Sequence, residues 1–512
     1  MSGRLKKVSL IALAFALLCG ASWVQQALNR DRNRLGLTRV EPLKNAPPVL
    51  AFTTVALGGF RGLIANALWI RMTELQDEDK FFEMQQLADW ITKLEPHFPQ
   101  VWVHQAWNMA YNISVKFKEN APGVYTDRWR WVRAGIVLLR DEGLLYNPNE
   151  VLIYRELAWF FQHKMGANLD DANMHYKQAW ANEMAEVFGK ARPNLEELIH
   201  PQTDDARRRL TLLRNVYKMD PVCMKEVNER YGPLEWRLPE AHAIYWGARG
   251  LQTARENPTK VKPDDLIQLR RAIYQSMQLS FRRGKLIENP FVHAFEFGPN
   301  LDIIPKVNAA YEEAMEEDAP NREHISKAHR NLLRDAVYFL YVHDRRADAA
   351  QWYQYLATKY PNKTILDNNP NSLPSQLTLD EYVVAHVVED VKETDRDRIQ
   401  SAIEGFTISA YRALVLAERD LYAGYRVLSR RVWTAYMNAI KGNEARIGLP
   451  PVEDTEKKVL ERLLMPDGVF TFEMRAVLRT ELGLGPEPPP ASTATNAPPA
   501  TTNSPAIIPA GK

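Results

Sequence analysis

Cysteine is nearly absent: two occur in 512 residues, Cys19 and Cys223. Cys19 lies in an apolar N-terminal run, so the two do not read as a stabilising disulfide. There is no Cys/His cluster with zinc-ligand spacing and no CxxCH haem site. An excess of one charge is lacking too. The 65 Lys and Arg stand against 63 Asp and Glu, a net charge of +2. A nucleic-acid binder concentrates surplus cations on one face, so no nucleic-acid partner is expected. Catalytic motifs are also missing, with no GxSxG, HExxH or Walker-type loop. The stretch GGFRG, Gly58–Gly62, lacks the preceding strand and following Lys-Ser/Thr of a phosphate loop, and its glycines read as a close turn. His324 and His329 are five apart, off the four-residue step of a helical zinc pair. No catalytic, cofactor-binding or metal-binding residue is assigned, and no cofactor is expected.

Long apolar runs are scarce, and one stands out. Arg4, Lys6 and Lys7 precede VSLIALAFALLCGASWV, Val8–Val24, which carries no charge. At about 1.5 Å per residue this helix spans roughly 26 Å, just short of a hydrocarbon core of about 30 Å. Residues 1–30 therefore read as a transmembrane anchor or signal segment, with Cys19-Gly20-Ala21 a tolerable cleavage site. Arg30, Arg32, Arg34 and Arg39 compete with the N-terminal cations for orientation. The adopted reading is a single-pass membrane protein with its N-terminus inside and its body in the periplasm. A second span over Val49–Ile70 is disfavoured by Arg61, Asn66 and the glycines. At the other end, residues 483–512 are rich in Pro, Ala and Thr with almost no charge. Such a tail buries too little surface to offset its ordering entropy and is expected to be disordered.

Between these ends the apolar spacing is helical. In LADWITKLEP, Leu87, Trp90, Ile91 and Leu94 recur at three- and four-residue steps, and Trp90 is expected in the core with Trp102. A 34-residue period links Leu68 to Trp102. Pro96 precedes Trp102 by six residues, and Pro148 precedes Tyr154 by the same six. Leu157, Ala158, Phe161, Ala172, Tyr176 and Ala179 follow Tyr154. Downstream, Leu333, Ala336 and Leu340 are followed by Ala349, Tyr353, Leu356 and Pro361. Pro96 and Pro148 are 52 apart, 18 more than one period (52 less 34), which places an insertion near KENAPGVYTDR.

These residues resemble the tetratricopeptide repeat, a helix–turn–helix whose small residues let paired helices approach and whose closing proline stops the second helix. The resemblance implies an all-α, TPR-like α-solenoid of helix–turn–helix repeats with an N-terminal membrane helix and a disordered C-terminal tail. It is clear over about a third of the chain. The segments ALGGFRGLIANALWIRMTELQDEDKFFEMQQLADWITKLEP and YGPLEWRLPEAHAIYW further resemble an uncharacterised group of membrane-anchored bacterial repeat proteins. That likeness implies architecture and location, and no mechanism. The layout expected is an anchor at 1–30, repeats at 45–185, an irregular helical region with degenerate repeats at 186–329, one repeat at 330–363, a C-terminal helical region at 364–482 and the tail at 483–512. Within it, Thr378-x-x-Glu381 has capping-box spacing and should start a helix. The segment around Pro290–Pro305 breaks the pattern.

Nine of the 13 tryptophans precede residue 185, eight of them beyond the apolar N-terminal run. Most read as core, as does RWRWVRAG, where Trp129, Val132, Ile136 and Leu139 make one amphipathic face. Trp107 and Trp159 differ. Each lies five residues after the opening residue of its repeat, Trp102 or Tyr154, on the face that would line a concave groove. Tyr111 would flank Trp107, and Arg155 and His163 would flank Trp159. Concave solenoid surfaces commonly bind partners, and Trp, Tyr and Arg are enriched at hot spots. The expected function is a membrane-anchored scaffold or assembly factor that binds a protein partner in the bacterial cell envelope and is not an enzyme. The alternative is an envelope enzyme acting on glycans or lipids.

Overall fold

The computed structural model describes residues 3–34, 60–189, 193–258, 261–289, 294–366, 370–388, 396–441, 448–466 and 468–486. Two units divide the chain, 1–389 and 390–512, and both are mostly helical. The tail beyond residue 486 and two of the clustered glycines, Gly58 and Gly59, lie outside the described residues.

The apolar run Val8–Val24 falls within one helix, Gly3–Arg34. Its described side chains, from Ala12 onward, are exposed, Leu13, Phe15, Leu17, Leu18 and Trp23 among them. Among the described residues no helix is long and apolar enough to cross a membrane; the side chains that begin the apolar run lie outside that description.

Three helix pairs follow. Arg61–Asp77 pairs with Phe81–Leu94. Pro99–Trp107 continues into a π-helical turn, Asn108–Ile113, and the chain returns through Thr126–Val137 and a second π-helical turn, Leu138–Gly143. Val151–Trp159 continues into a third, Phe160–Gly166, and returns through Asn173–Phe188. Each pair packs on the next. The residues added between Pro96 and Pro148 are shared between a loop at 117–125 and a long return helix.

The six-residue spacing of proline and aromatic has a physical basis. The Trp102 indole donates to the Pro96 carbonyl at 2.8 Å, and the Tyr154 hydroxyl donates to the Pro148 carbonyl at 3.0 Å. Each ring is the fourth residue of its helix and reaches back over the helix start, after an extended residue, Phe98 or Glu150. Trp102 is buried, and leaving its N–H unpaired would cost about 1–3 kcal/mol. His242, fourth residue of Pro239–Glu256, makes the same link to the Trp236 carbonyl at 2.9 Å.

Trp90 departs from expectation: it is 46% exposed. The buried face of Phe81–Leu94 is formed by Phe81, Met84, Ala88, Ile91 and Thr92. Trp90 sits about 100° from Ile91 around the helix and so turns outward. The face read from RWRWVRAG does pack inward, with Trp129, Val132, Ile136 and Leu139 all buried. Ala158 and Ala349 are fully buried.

Close helix approaches depend on two glycines. A Cβ on Gly135 would lie 2.8 Å from the Ala106 carbonyl, and one on Gly250 would lie 2.9 Å from the Tyr154 Cβ. Gly250 belongs to Pro239–Glu256, a helix buried along most of its length and packed against Val151–Trp159 and Pro263–Arg283. The chain then leaves the all-helical pattern for a two-stranded antiparallel sheet, Lys285–Asn289 with Ala294–Gly298, where the sequence breaks its period. Ile304–Glu317, Arg322–Val342 and Arg346–Lys359 follow as helices packed in succession. The segment read as a repeat from 330 thus begins inside a helix. Leu379–Val388 starts on the capping box its spacing predicts: the Thr378 N–H donates to Glu381 Oε2 at 2.8 Å, and the Glu381 N–H to Thr378 Oγ1 at 3.3 Å.

In the second unit, Arg396–Val415 pairs with Arg419–Ala439, and Val452–Leu463 and Phe472–Glu481 pack against the first of these.

Candidate functional site

Trp107 closes its α-helical segment and Tyr111 lies in the π turn that follows. Trp159 and His163 occupy the same positions in the next pair. A π turn widens the helix and is frequent at functional sites. Here it accompanies two stacked ring pairs at the same relative positions: Trp107 on Tyr111 at 4.5 Å and 19°, and Trp159 on His163 at 4.3 Å and 14°. The pairs join where the Tyr111 hydroxyl meets His163 Nδ1 at 3.2 Å. Four of the five residues expected in the groove are therefore contiguous.

A second ring group begins one turn earlier on the same helix. His104, one helical turn before Trp107, meets Trp69 at 5.5 Å, and Trp69 meets Phe98 at 5.9 Å. The seven rings thus form two groups, Phe98–Trp69–His104 and Trp107–Tyr111–His163–Trp159, on the first helices of three successive pairs or an entry residue, and His104 and Trp107 stand one turn apart on the same helix. Trp107 is 43% exposed, Trp159 36% and Phe98 41%. Sequence reasoning missed Trp69, Phe98 and His104, which share no offset with Trp107; only the three-residue step from His104 to Trp107 hints at a common face.

The row has an ionic floor. The Lys164 ammonium, itself buried, lies 4.9 Å from the Tyr111 ring centre and binds Asp170 at 2.5 Å. Arg128 approaches the same carboxylate at 3.4 Å. Burial lowers the His163 pKa, and neighbouring Lys164 lowers it further. The ring is then neutral near pH 7, so Nδ1 can accept from the Tyr111 hydroxyl. Burial raises the Tyr111 pKa, with the Glu156 carboxylate adding to the shift, so the hydroxyl stays protonated and able to donate. The arrangement offers flat apolar faces with a few fixed polar atoms, which suits recognition more than proton transfer.

Arg155 is placed differently from the other four. Its guanidinium binds Asp265 at 2.7 Å and Glu156 at 2.8 Å, so its charge is engaged within the fold.

A second group of titratable residues is fully buried. Lys177, lowered to a pKa of about 8 by burial, faces the field of Glu240, whose carboxyl is raised by burial. Lys177 donates to Asn173 at 3.0 Å, while Glu240 Oε2 and His242 Nδ1 are without partners. Among the described residues no group of His, Cys, Asp and Glu is arranged to hold a metal ion. No protein-family model, curated protein or solved structure matches the chain.

Proposed function

We propose that the protein is a membrane-anchored, tetratricopeptide-like α-solenoid that presents its aromatic row to a protein partner in the bacterial cell envelope, as a scaffold or assembly factor. One observation carries this reading. Two ring groups, with Trp107, Trp159 and Phe98 substantially exposed, lie on the first helices of successive pairs or an entry residue, His104 and Trp107 one turn apart on the same helix. Stacking in pairs pre-orders the exposed indoles, so little side-chain entropy remains to be lost on binding. The N-terminal helix, with exposed Leu13, Phe15, Leu17 and Leu18, supports the anchor, and Arg4, Lys6 and Lys7 before the apolar run support a body outside the cytoplasmic membrane, against the opposing pull of Arg30, Arg32, Arg34 and Arg39.

The test is a pair of variants, Trp107→Ala and Trp159→Ala. Each is expected to weaken partner capture from envelope extracts by about 2 kcal/mol or more, the hot-spot range. Melting should move little, because a partly exposed ring leaves no sealed cavity. Destabilisation of about 3–5 kcal/mol without a specific capture defect would make both rings packing residues and refute the groove.

The enzyme alternative, acting on glycans or lipids, draws on Lys177 and Glu240, whose shifted pKa values are of the kind found in active sites. Lys177 is 1% exposed and Glu240 2%, closed to a substrate, which favours the scaffold reading.

A further inference from the structure

A cleft of about 500 Å³ opens where the first turns of Arg322–Val342 meet the end of Arg346–Lys359. Its lining is cationic. His324, Lys327 and Arg330 recur every three residues along one helix, and Lys363 faces them from beyond the other. Glu323 is the one carboxylate among the lining residues. Among the described residues none of Lys327, Arg330 and Lys363 has an ion-pair partner, unlike neighbouring Lys359, which binds Glu312 at 2.6 Å. Arg330 Nε is buried with no hydrogen-bond acceptor. A buried donor on a charged group is costly to leave unpaired.

The hydroxyl wall of the cleft is held from behind. Ser326 Oγ donates to the Tyr360 oxygen at 3.3 Å, the Tyr360 hydroxyl donates to His329 Nδ1 at 2.8 Å, and His329 Nε2 donates to Asn308 Oδ1 at 2.7 Å. This chain fixes both hydroxyls and gives His329 one tautomer. Both hydroxyl protons are spent within this chain, so binding rests on the cations: three unpaired cations and a volume within the range of small-molecule sites suit a compact, multiply charged oxyanion.

We propose that this cleft binds a phosphomonoester, its phosphate held by Lys327, Arg330 and Lys363. Arg330 supplies the directional donors and the two lysines supply charge. The site is independent of the aromatic row.

The experiment titrates the full chain, in detergent, with phenyl phosphate and with dihexanoyl phosphatidic acid. Saturable binding with a Kd of about 1 mM or tighter is expected. A preference for phenyl phosphate assigns a free metabolite, and a preference for the lipid assigns a headgroup; either supports the site. The exposed pair Lys327→Glu and Lys363→Glu, made together, should weaken binding by about tenfold or more. Glu323→Gln removes the one repelling carboxylate and should tighten binding about threefold, a gain that misfolding cannot mimic. Absence of saturation with both ligands, or affinities unmoved by these variants, would overturn the proposal.

Discussion

Two histidines show how far one residue's surroundings move its chemistry. His242 and His329 are fully buried, and burial lowers each from 6.5 to about 4. Above pH 6.5 both folded and unfolded chains hold them neutral, and they add no pH dependence. Between 6.5 and 4 the unfolded chain binds the proton and the folded chain does not, so stability falls as pH falls. Each ring is expected to contribute about 2 kcal/mol of loss between pH 7 and pH 5. Urea unfolding at the two pH values checks this, with His242→Asn or His329→Asn shrinking the difference by about that amount. An unchanged difference would mean that the rings titrate normally. Neither environment was legible in the sequence, since His242 meets Phe161 and Trp180 at 5.2 and 4.9 Å from other helices. Trp107 and Trp159 were legible, because their shared offset places both on corresponding faces of successive helices.

Helix pairs reuse one turn. After Arg61–Asp77, Arg322–Val342 and Arg396–Val415 come three residues, the middle one with positive φ: Asp79 at 58°, Asp344 at 56° and Ala417 at 60°. In each, the N–H of the third turn residue bonds a carbonyl five residues back: Lys80 to Leu75 at 2.9 Å, Arg345 to Leu340 at 2.9 Å and Glu418 to Ala413 at 2.8 Å. This is the Schellman arrangement, which favours glycine at its left-handed residue. Alanine there costs about 1–2 kcal/mol, while glycine loses about 0.5–1 kcal/mol more conformational entropy on folding. Ala417→Gly is therefore expected to stabilise by roughly 0.5–1 kcal/mol, seen as a higher melting temperature. A lower one would show that Ala417 makes contacts worth more than its strain. Asp344→Gly should gain less, since aspartate tolerates this conformation better. The Thr378–Glu381 cap was legible because it is closed within four residues; these turns were not, because two of them hold aspartate and one alanine where the glycine that marks such a turn would stand.

At the scale of the molecule the anchor makes the plainest expectation. The full chain should sediment with membranes and resist carbonate extraction, while a chain beginning near Lys44 should remain in the supernatant. Recovery of the intact chain as a soluble species would remove the anchor. The exposed apolar side chains of Gly3–Arg34 are the structural reason to expect retention, since an unpartnered apolar helix gains by leaving water.

The sequence by itself determined where helices start and which short-range bonds close them. Pro96 with Trp102, Pro148 with Tyr154, and Thr378 with Glu381 are local pairings, and local pairings survive any arrangement of the rest. It also specified the inward face of RWRWVRAG, where one apolar stripe dominates. Phe81–Leu94 carries Phe82, Leu87, Trp90 and Leu94 beside its buried residues, so several faces competed and Trp90 went outward. Only the tertiary structure made that choice. It alone brought Trp69 against Phe98 and His104 and set Lys363 and Tyr360 opposite His324, Lys327 and Arg330. Such juxtapositions depend on how helices cross, which is set by close approaches such as Gly135 on Ala106 and Gly250 on Tyr154, and interaxial geometry is a property of two surfaces that no single periodic segment encodes.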